Sequence, residues 1–560
     1  MFFDTALVDL DDTLYSYQDA HGVALNAALT DLANKSGRDM SALKQQYSSL
    51  SVALKVELGM TAASHNRYIY FKQLCVLEGI SLASVASTHQ AYWSSFYAAM
   101  KPAPGAIDLL KRLRANKVRI AILSDFQLEY QFEKLRRLEM LDLVDDVITS
   151  EEVGVEKPNS KMFLTALARL NARAERTVII GDNFEKDILG AARCGIHGLW
   201  ISGQGITGAP RNGLAFPDLL SLDTWLCGAI IAVDELVELS RYCGMRYDLT
   251  QAAGGNISVK FGSHMLIKSS GFHLADMEAS QGYSLVDNQR LRIDLASGLS
   301  PSLDNYVQFS GKRPSIEAFM HAGLESYTVH LHPLQVNSVL TASDGRERMA
   351  VIWPDALIID YVTPGLNLAA MVQPNNEPEQ VIFLLSHGVI FSTRNFDAMI
   401  LLIEKTLSRF HDLSDAVHIE NYKKVNLIAA VLSRHICEEC CVYLCEDLVV
   451  KERFKGLTDL RASFPDEVVY CGMAVLFMEN IDEALMLQHI QTHGIPKLIV
   501  IDDCLYIADL NLKKCRDVEA VIKSVLLLQD PMHTREFLKE SEVKFLNGWD
   551  SEKYRRLLKY

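Results

Sequence analysis

The chain has no apolar run approaching the about 20 residues that span a bilayer, so a membrane-spanning role is excluded from the expectations. Its first residues, Met-Phe-Phe-Asp-Thr, carry no basic stretch ahead of an apolar one, so no secretory leader is expected and a cytoplasmic location is. Positive charge is in deficit: 55 Lys and Arg stand against 70 Asp and Glu, a net charge of −15. Such a balance repels the phosphates of nucleic acid and argues against that class of partner. The 11 cysteines are scattered and form no spaced framework, which fits reduced thiols better than disulfides. Internal repeats and low-complexity tracts are also missing.

What is present is a long, ordinary globular composition, 49% hydrophobic and 22% charged over 560 residues. That length exceeds what one core supports, so two or three domains are expected. Between Thr5 and Ile201, short apolar runs alternate with helical patterns. Thr5–Leu10, Val118–Leu123, Val147–Thr149, Thr177–Ile180 and Gly198–Ile201 read as buried parallel strands. Residues 16–100 are almost wholly helical in pattern. A glycine- and proline-rich stretch, 203–216, reads as a linker, followed by a helix at 217–229. Helical spacing resumes at Asp234–Cys243. Strands are expected at Asn256–Lys260, Met265–Lys268, Thr328–Leu331 and 381–386, and helices at Ser315–Gly323 and 396–412. A further strand is expected at Lys497–Ile501.

Chemistry-bearing residues fall at the strand ends. Asp9-Leu10-Asp11-Asp12-Thr13 follows the first strand, Ser124-Asp125 the second, Lys157-Pro158 the third, and Gly181-Asp182 with Asp187 the fourth. Ligands bind at that edge of a parallel sheet. A carboxylate at Asp9 can attack phosphorus. Asp11, two residues on, can protonate a leaving oxygen and then activate water. Asp9 and Asp182, with Asp11 beside them, can hold Mg2+, a hard cation that prefers oxygen. Ser124 and Lys157 can hold phosphoryl oxygens. Asp12 reads as a turn and cap residue.

A second set lies downstream. His330 and His332 sit two apart on a strand and share one face, and His387 precedes Gly388 after another strand. Three imidazoles with an open position make up a catalytic rather than a structural Zn2+ site. Upstream are two glycine-bearing loops, Ala253-Gly254-Gly255-Asn256-Ile257-Ser258 and Ile267-Lys268-Ser269-Ser270-Gly271, whose backbone N–H groups can cradle an anion. Glu317 ends Arg313-Pro314-Ser315-Ile316-Glu317 and opens a helix. The run from His435 through Cys437, Cys440 and Cys441 to Cys445 lacks a second Cys pair at useful spacing and reads as helix with buried thiols, not as a metal site.

The first four motifs, spanning roughly 1–225, resemble the haloacid dehalogenase-like hydrolase superfamily. The resemblance implies Asp9 as nucleophile and Asp11 as acid/base. It also implies the phosphatase branch, with residues 16–100 as a small helical cap suited to a small soluble substrate. The second set resembles the class II (zinc) aldolase/adducin-like family over roughly 232–560. The loops and the Trp549, Tyr554, Arg555 tail look most like rhamnulose-1-phosphate aldolase domains fused to dehydrogenases. That resemblance implies Asn256, Ser270, Gly271 and Ser315 as holders of a substrate phosphate or hydroxyl, Glu317 as proton shuttle, and a homotetramer. Small fuculose-phosphate aldolases have a second serine where Ile316 stands here.

The fold class expected is therefore α/β. A Rossmann-like parallel sheet with a helical cap occupies 1–227. A class II aldolase-like α/β/α domain with a further α/β extension occupies 228–560. The expected activity is bifunctional. One site is a Mg2+-dependent sugar phosphatase acting through an aspartyl-phosphate. The other is a Zn2+-dependent aldolase joining or cleaving a ketose and an aldehyde, with dihydroxyacetone phosphate as one partner. Two other readings stay open: a zinc-dependent dehydratase of the methionine-salvage type beside the phosphatase, and a scaffold with one dead site.

Overall fold

A computed structural model describes residues 2–203, 213–299, 302–309, 313–372, 377–413, 416–436, 439–454, 465–472 and 474–527, with 538, 539, 541 and 543. Trp549, Tyr554, Arg555, Cys437 and most of the 203–216 stretch lie outside the described residues. The chain divides into two compact units, Met1–Ile231 with Val307–Ser310, and Ala232–Tyr306 with Gly311–Tyr560.

The first unit is built on six parallel strands. They are β1 (Thr5–Val8), β2 (Arg119–Ser124), β3 (Asp146–Thr149), β4 (Thr177–Gly181), β5 (His197–Ile201) and β6 (Gly213–Phe216). Their order is β3-β2-β1-β4-β5-β6, every pair parallel. The β1 run Thr-Ala-Leu-Val is buried at every position, as a strand covered on both faces must be. β6 falls inside the stretch expected to be linker. Leu214 and Phe216 are buried there, and their strand signal is masked by the surrounding glycines and proline.

The first four α-helices after β1 form an insertion ahead of β2: α1 (Tyr17–Ser36), α2 (Met40–Leu58), α3 (Arg67–Leu77) and α4 (Ser84–Ala99). Helix α1 starts where Ser16 accepts the backbone N–H of Asp19, and it stops at Gly37, whose φ of +69° suits a residue without a Cβ. Ala20, Ala24 and Ala28 repeat every fourth residue on its buried face, and small side chains there let a neighbouring helix approach closely. Thr88 of α4 donates to Asp31 of α1 at 2.9 Å. Helices α5 (Ala106–Ala115) and α6 (Leu128–Arg137) flank β2 in sequence.

In the second unit a mixed sheet contains β7 (Asn256–Phe261), β8 (His264–Lys268) and β9 (Tyr283–Asp287). Val307–Phe309 (β10) groups with the first unit. The sheet continues with β11 (Tyr327–Leu331), β12 (Leu357–Ile359), β13 (Glu379–Leu384) and β14 (Gly388–Thr393), in the order β9-β8-β7-β11-β14-β13-β12. β11 lies between β7 and β14, antiparallel to both, with His330 opposite Asn256 and Ile390. A separate four-stranded sheet, β15 (Cys441–Leu444), β16 (Leu476–Met478), β17 (Leu498–Ile501) and β18 (Cys504–Asp509), runs β15-β18-β17-β16.

Three local expectations are corrected. Cys441–Leu444 is a strand, not helix: Val442 pairs with Ala508, and Val442 and Leu444 pack in a hydrophobic core. A single helix, Leu219–Gly244, replaces the two expected and carries Gly228 in its interior. The helix expected from Ser315 begins at Ala318; the Ser315 hydroxyl accepts the Glu317 N–H and holds those residues in a turn.

Candidate active sites

The carboxyl ends of β1, β2 and β4 bring the first set together. Asp9 follows β1, and its backbone N–H donates to the Ile180 carbonyl of β4 at 2.9 Å. Lys157 is 2% exposed, and its Nζ donates to Asp9 Oδ1 at 2.6 Å and to Asp187 Oδ1 at 2.7 Å. Its own N–H donates to Asp125 Oδ1 at 2.8 Å. Thr13 bridges the motifs, its hydroxyl donating to Asp182 Oδ1 at 3.0 Å and lying 3.4 Å from Asp9 Oδ2. Carboxylate oxygens of Asp9, Asp182 and Asp187 lie within 4.8 Å of one another. Gly181 makes this possible, because a Cβ there would lie 2.5 Å from Asp187 Oδ2.

Electrostatics follow the crowding. Burial raises Asp9 well above the ordinary carboxylate range; Lys157 opposes that shift, and Asp187 and Asp182 add to it. Burial and the Asp187 charge raise Asp182 as well. For Lys157, burial favours the neutral amine, but the Asp187, Asp9 and Asp125 charges outweigh it and raise the pKa well above its usual value. Three carboxylates facing one ammonium leave an excess of negative charge that suits a divalent cation bound through oxygen.

Asp11 was expected among the metal ligands, and the structure places its carboxylate elsewhere. It accepts from Lys134 Nζ at 2.6 Å, Gln131 Nε2 at 2.9 Å and the Tyr15 hydroxyl. Asp187 completes the carboxylate group instead. The turn explains the divergence: Asp12, with φ of +62°, reverses the chain and caps α1 by accepting the N–H groups of Tyr17 and Gln18. Burial pushes Asp11 up, but the Lys134 charge and these hydrogen bonds outweigh it and hold the carboxyl below its ordinary value. Ser124 is buried at the end of β2, and its hydroxyl accepts from Gln131. Gln131, Lys134 and Tyr15 were not singled out from sequence, and Thr13 was read with Asp12 as part of the turn. The Gln131 and Lys134 pair, on one face of α6 three residues apart, carried the signal.

In the second unit the imidazoles converge. Ring centroids of His330 and His387 are 4.7 Å apart, those of His330 and His332 5.0 Å, and those of His332 and His387 5.5 Å. His387 sits in the turn between β13 and β14. Gly388 beside it admits the other two rings: a Cβ would lie 2.4 Å from the Leu331 carbonyl oxygen and 2.7 Å from His332 Cδ2. Nε2 of His330 and of His332 are buried with no hydrogen-bond partner among the described residues. Burial, first, and the neighbouring imidazoles lower His332 to about 4 and lower His387. The convergent imidazoles, with Nε2 of His330 and His332 unpartnered, fit a borderline cation such as zinc.

Glu317 lies against this trio. It accepts from His330 Nδ1 at 2.8 Å, which fixes the ring's other nitrogen toward the cluster. Asn256 Nδ2 donates to Glu317 Oε2 at 3.0 Å and to the Ser315 hydroxyl at 2.7 Å. Burial alone would raise Glu317, but the charges of His330 and its neighbours win and lower it far below its ordinary value. Ser270 and Gly271 are exposed on the loop after β8, and the Ser270 N–H donates to the Arg313 carbonyl at 2.8 Å. That amide is therefore already used within the fold. Lys268, not singled out from sequence, is buried, and its Nζ ties the two glycine-bearing loops together through the carbonyls of Ala253 and Phe272. Cys440, Cys441 and Cys445 are buried free thiols, and none belongs to a metal-ligand group among the described residues. No helix among them is long and apolar enough to cross a membrane.

Two family models match the chain. Residues 3–195 match the family model of haloacid dehalogenase-like hydrolases, and residues 234–406 match that of the class II aldolase and adducin N-terminal domain. A ribulose-1,5-bisphosphate 5-phosphatase of Halopiger xanaduensis is 40% identical over 195 residues, covering 34% of this chain and 81% of that protein. A glyceraldehyde 3-phosphate phosphatase of Methanopyrus kandleri is 33% identical over 214 residues, covering 38% of this chain and 90% of that protein. A solved N-terminal class II aldolase domain from Thermoplasma acidophilum aligns at 22% identity and a TM-score of 0.28, covering 34% of this chain and 92% of that one.

Proposed function

Because the chain belongs to the haloacid dehalogenase-like hydrolases through residues 3–195 and carries a class II aldolase and adducin N-terminal domain over 234–406, we propose that it is a bifunctional enzyme. The first unit hydrolyses small sugar phosphates through an aspartyl-phosphate on Asp9. The second makes or cleaves a ketose, with dihydroxyacetone phosphate or a related ketone as one partner. The observation that carries this reading is the pair of convergent ligand groups, Asp9, Asp182 and Asp187 in one unit and His330, His332 and His387 in the other. The names of the phosphatase relatives support a small phosphorylated sugar as the first substrate.

In the first unit Lys157 pins Asp9 Oδ1 and leaves Oδ2, with only the long Thr13 contact, as the oxygen that attacks phosphorus. The leaving oxygen takes a proton from Asp11. Water then attacks the acyl-phosphate after giving its proton back to Asp11. The Lys134 contact holds Asp11 ionised, which suits the second of these steps; the first requires that contact to loosen as substrate arrives. Ser124 and Lys157 hold phosphoryl oxygens. Mg2+, held by Asp9, Asp182 and Asp187, would supply counter-charge to the phosphoryl group and the carboxylates.

In the second unit Glu317 moves the proton to or from carbon. Asn256 orients it by spending both amide hydrogens on Glu317 and Ser315, which leaves Asn256 Oδ1 to accept from a substrate hydroxyl and the Ser315 hydroxyl to donate to a substrate oxygen. Zn2+, held by the three imidazoles, would act as a Lewis acid toward the negative charge that carbon–carbon cleavage leaves, a stabilisation worth several kcal/mol. The two activities fit one sequence of events, in which removal of phosphate draws an aldol product forward.

A screen of phosphorylated ketoses tests the reading with full-length Asp9→Asn and His332→Ala proteins, recording phosphate release and carbon–carbon cleavage separately. Asp9→Asn is expected to lose phosphate release by several orders of magnitude and keep cleavage, and His332→Ala the reverse. Dehydration of methylthioribulose phosphate without cleavage of any ketose would replace the aldolase by a dehydratase. No turnover by either unit would overturn the proposal.

A further inference from the structure

Two cations are buried where the helical insertion meets the parallel sheet of the first unit, and among the described residues one carboxylate, Asp11, pairs with them. Lys134 is wholly buried and donates to Asp11. Its Nζ lies 4.2 Å from the ring centroid of Phe126, 5.4 Å from that of Tyr17, and 5.5 Å from that of Phe96. Arg67, the first residue of α3, is 7% exposed. Its guanidinium donates to the Tyr17 hydroxyl and, at 3.3 Å, to the Tyr92 hydroxyl. It stands 5.0 Å from the Tyr70 ring and 5.7 Å from the Tyr92 ring. Among the described residues no aspartate or glutamate pairs with it.

A guanidinium cannot shed its proton at any ordinary pH, so burial is tolerable only when an anion answers the charge. Tyrosine rings and hydroxyls answer it in part. His21 Nδ1 lies 2.6 Å from the Tyr92 hydroxyl, and burial, reinforced by the Arg67 charge, lowers that ring to about 4. Arg67 is also near the reacting groups. Tyr17 takes its hydrogen bond at the hydroxyl and sets its ring against Lys134, which holds Asp11. Only one tyrosine and one lysine separate Arg67 from the acid/base carboxylate.

We propose that Arg67, with the hydroxyls of Tyr17 and Tyr92, receives a second anionic group, a phosphate or a carboxylate, on the substrate end remote from the phosphoryl group that Asp9 attacks. The phosphatase then selects doubly anionic small sugar phosphates over singly charged ones. The inference rests on the phosphatase reading of the same unit and adds the substrate class to it. Arg67 binds and discriminates; it takes no part in bond making.

Paired substrates that differ by one anion test it in the full chain with Mg2+. Ribulose 1,5-bisphosphate is compared with ribulose 5-phosphate, and 3-phosphoglycerate with glyceraldehyde 3-phosphate. Wild-type protein is expected to favour one or both doubly anionic members in kcat/KM, chiefly through KM, and the preferred pair tells phosphate from carboxylate. Arg67→Gln is expected to shrink that preference about ten- to a hundredfold, the range of a charged hydrogen bond. Arg67→Lys keeps the charge and is expected to retain part of the preference. Because the readout is a ratio, a general loss of activity in a variant does not mimic it. Phosphate release by wild-type protein without preference in either pair would overturn the inference and leave the phosphatase reading standing. So would a preference that survives Arg67→Gln. Phosphate release from no phosphomonoester would overturn both.

Discussion

Replacing Lys157 by methionine separates charge from volume at the first site. The side chain is 2% exposed and its Nζ makes two short charged hydrogen bonds, to Asp9 and Asp187. Methionine fills most of the same space, so lost packing costs less than about 1.5 kcal/mol. Removing one partner of a buried ion pair costs about 3–5 kcal/mol, because the other partner keeps its charge in a poorly solvating place. The electrostatic part therefore dominates, and it carries a pH signature. Burial already raises Asp9, Asp187 and Asp182 raise it further, and Lys157 is the opposing influence. A carboxyl raised in the folded state favours folding below its unfolded value of about 3.9 and loses that contribution as pH climbs through its folded value. The deficit of Lys157→Met should accordingly be small near pH 4 and reach its full size by neutrality. A divalent cation in the cluster should return part of it, about 2.7 kcal/mol at a hundred times its Kd. With two compact units a single unfolding free energy is ill-defined, so hydrogen exchange of peptides from β1 and β4 is the appropriate measurement. A deficit equal at pH 4 and pH 7.5, or none at either, would refute the account.

Further outcomes follow from the same geometry. Gly181→Ala places a Cβ 2.5 Å from Asp187 Oδ2; overpacking of this kind costs about 1–3 kcal/mol, and the shift of Asp187 away from Lys157 should lower kcat for any phosphomonoester at least about tenfold, read by phosphate release beside a thermal melt. Gly388→Ala places a Cβ 2.4 Å from the Leu331 carbonyl oxygen and 3.0 Å from His330 Nε2, so zinc bound per chain, measured by elemental analysis, should fall while phosphate release by the first unit is retained. His21 is lowered by burial and by Arg67 to about 4, below its unfolded value. The unfolded chain then binds the extra proton between about pH 6.5 and pH 4, and exchange protection of α1 and α4 should drop by at most about 3 kcal/mol over that interval; His21→Gln should flatten the slope.

Much of both sites was legible in the sequence because the signals are local. Asp9, Ser124, Lys157 and Asp182 each follow a short apolar run, and a parallel sheet gathers strand ends on one edge whatever the intervening helices do. His330 and His332 share a face by the two-residue period of a strand. The places where local reading failed have a common cause. β6 is four residues long and hidden among turn-forming neighbours, yet Leu214 and Phe216 find a partner strand in β5. Cys441–Leu444 carries no decisive local pattern until β18 pairs with it. Ser315–Glu317 leaves the helix because its own side chains capture its backbone.

The amino-acid sequence alone determined the strand-end chemistry, the helical insertion and the identity of the three imidazoles, since each depends on residue type and short spacing. Only the tertiary structure decided which groups share a charge. It turned Asp11 toward Lys134 and set Asp187 beside Asp9, brought Lys268 between two loops, and left Arg67 among tyrosines with no acid paired to it among the described residues. Electrostatic pairing acts across a few ångströms of space and takes no account of distance along the chain, so it becomes readable only when distant segments are folded against one another.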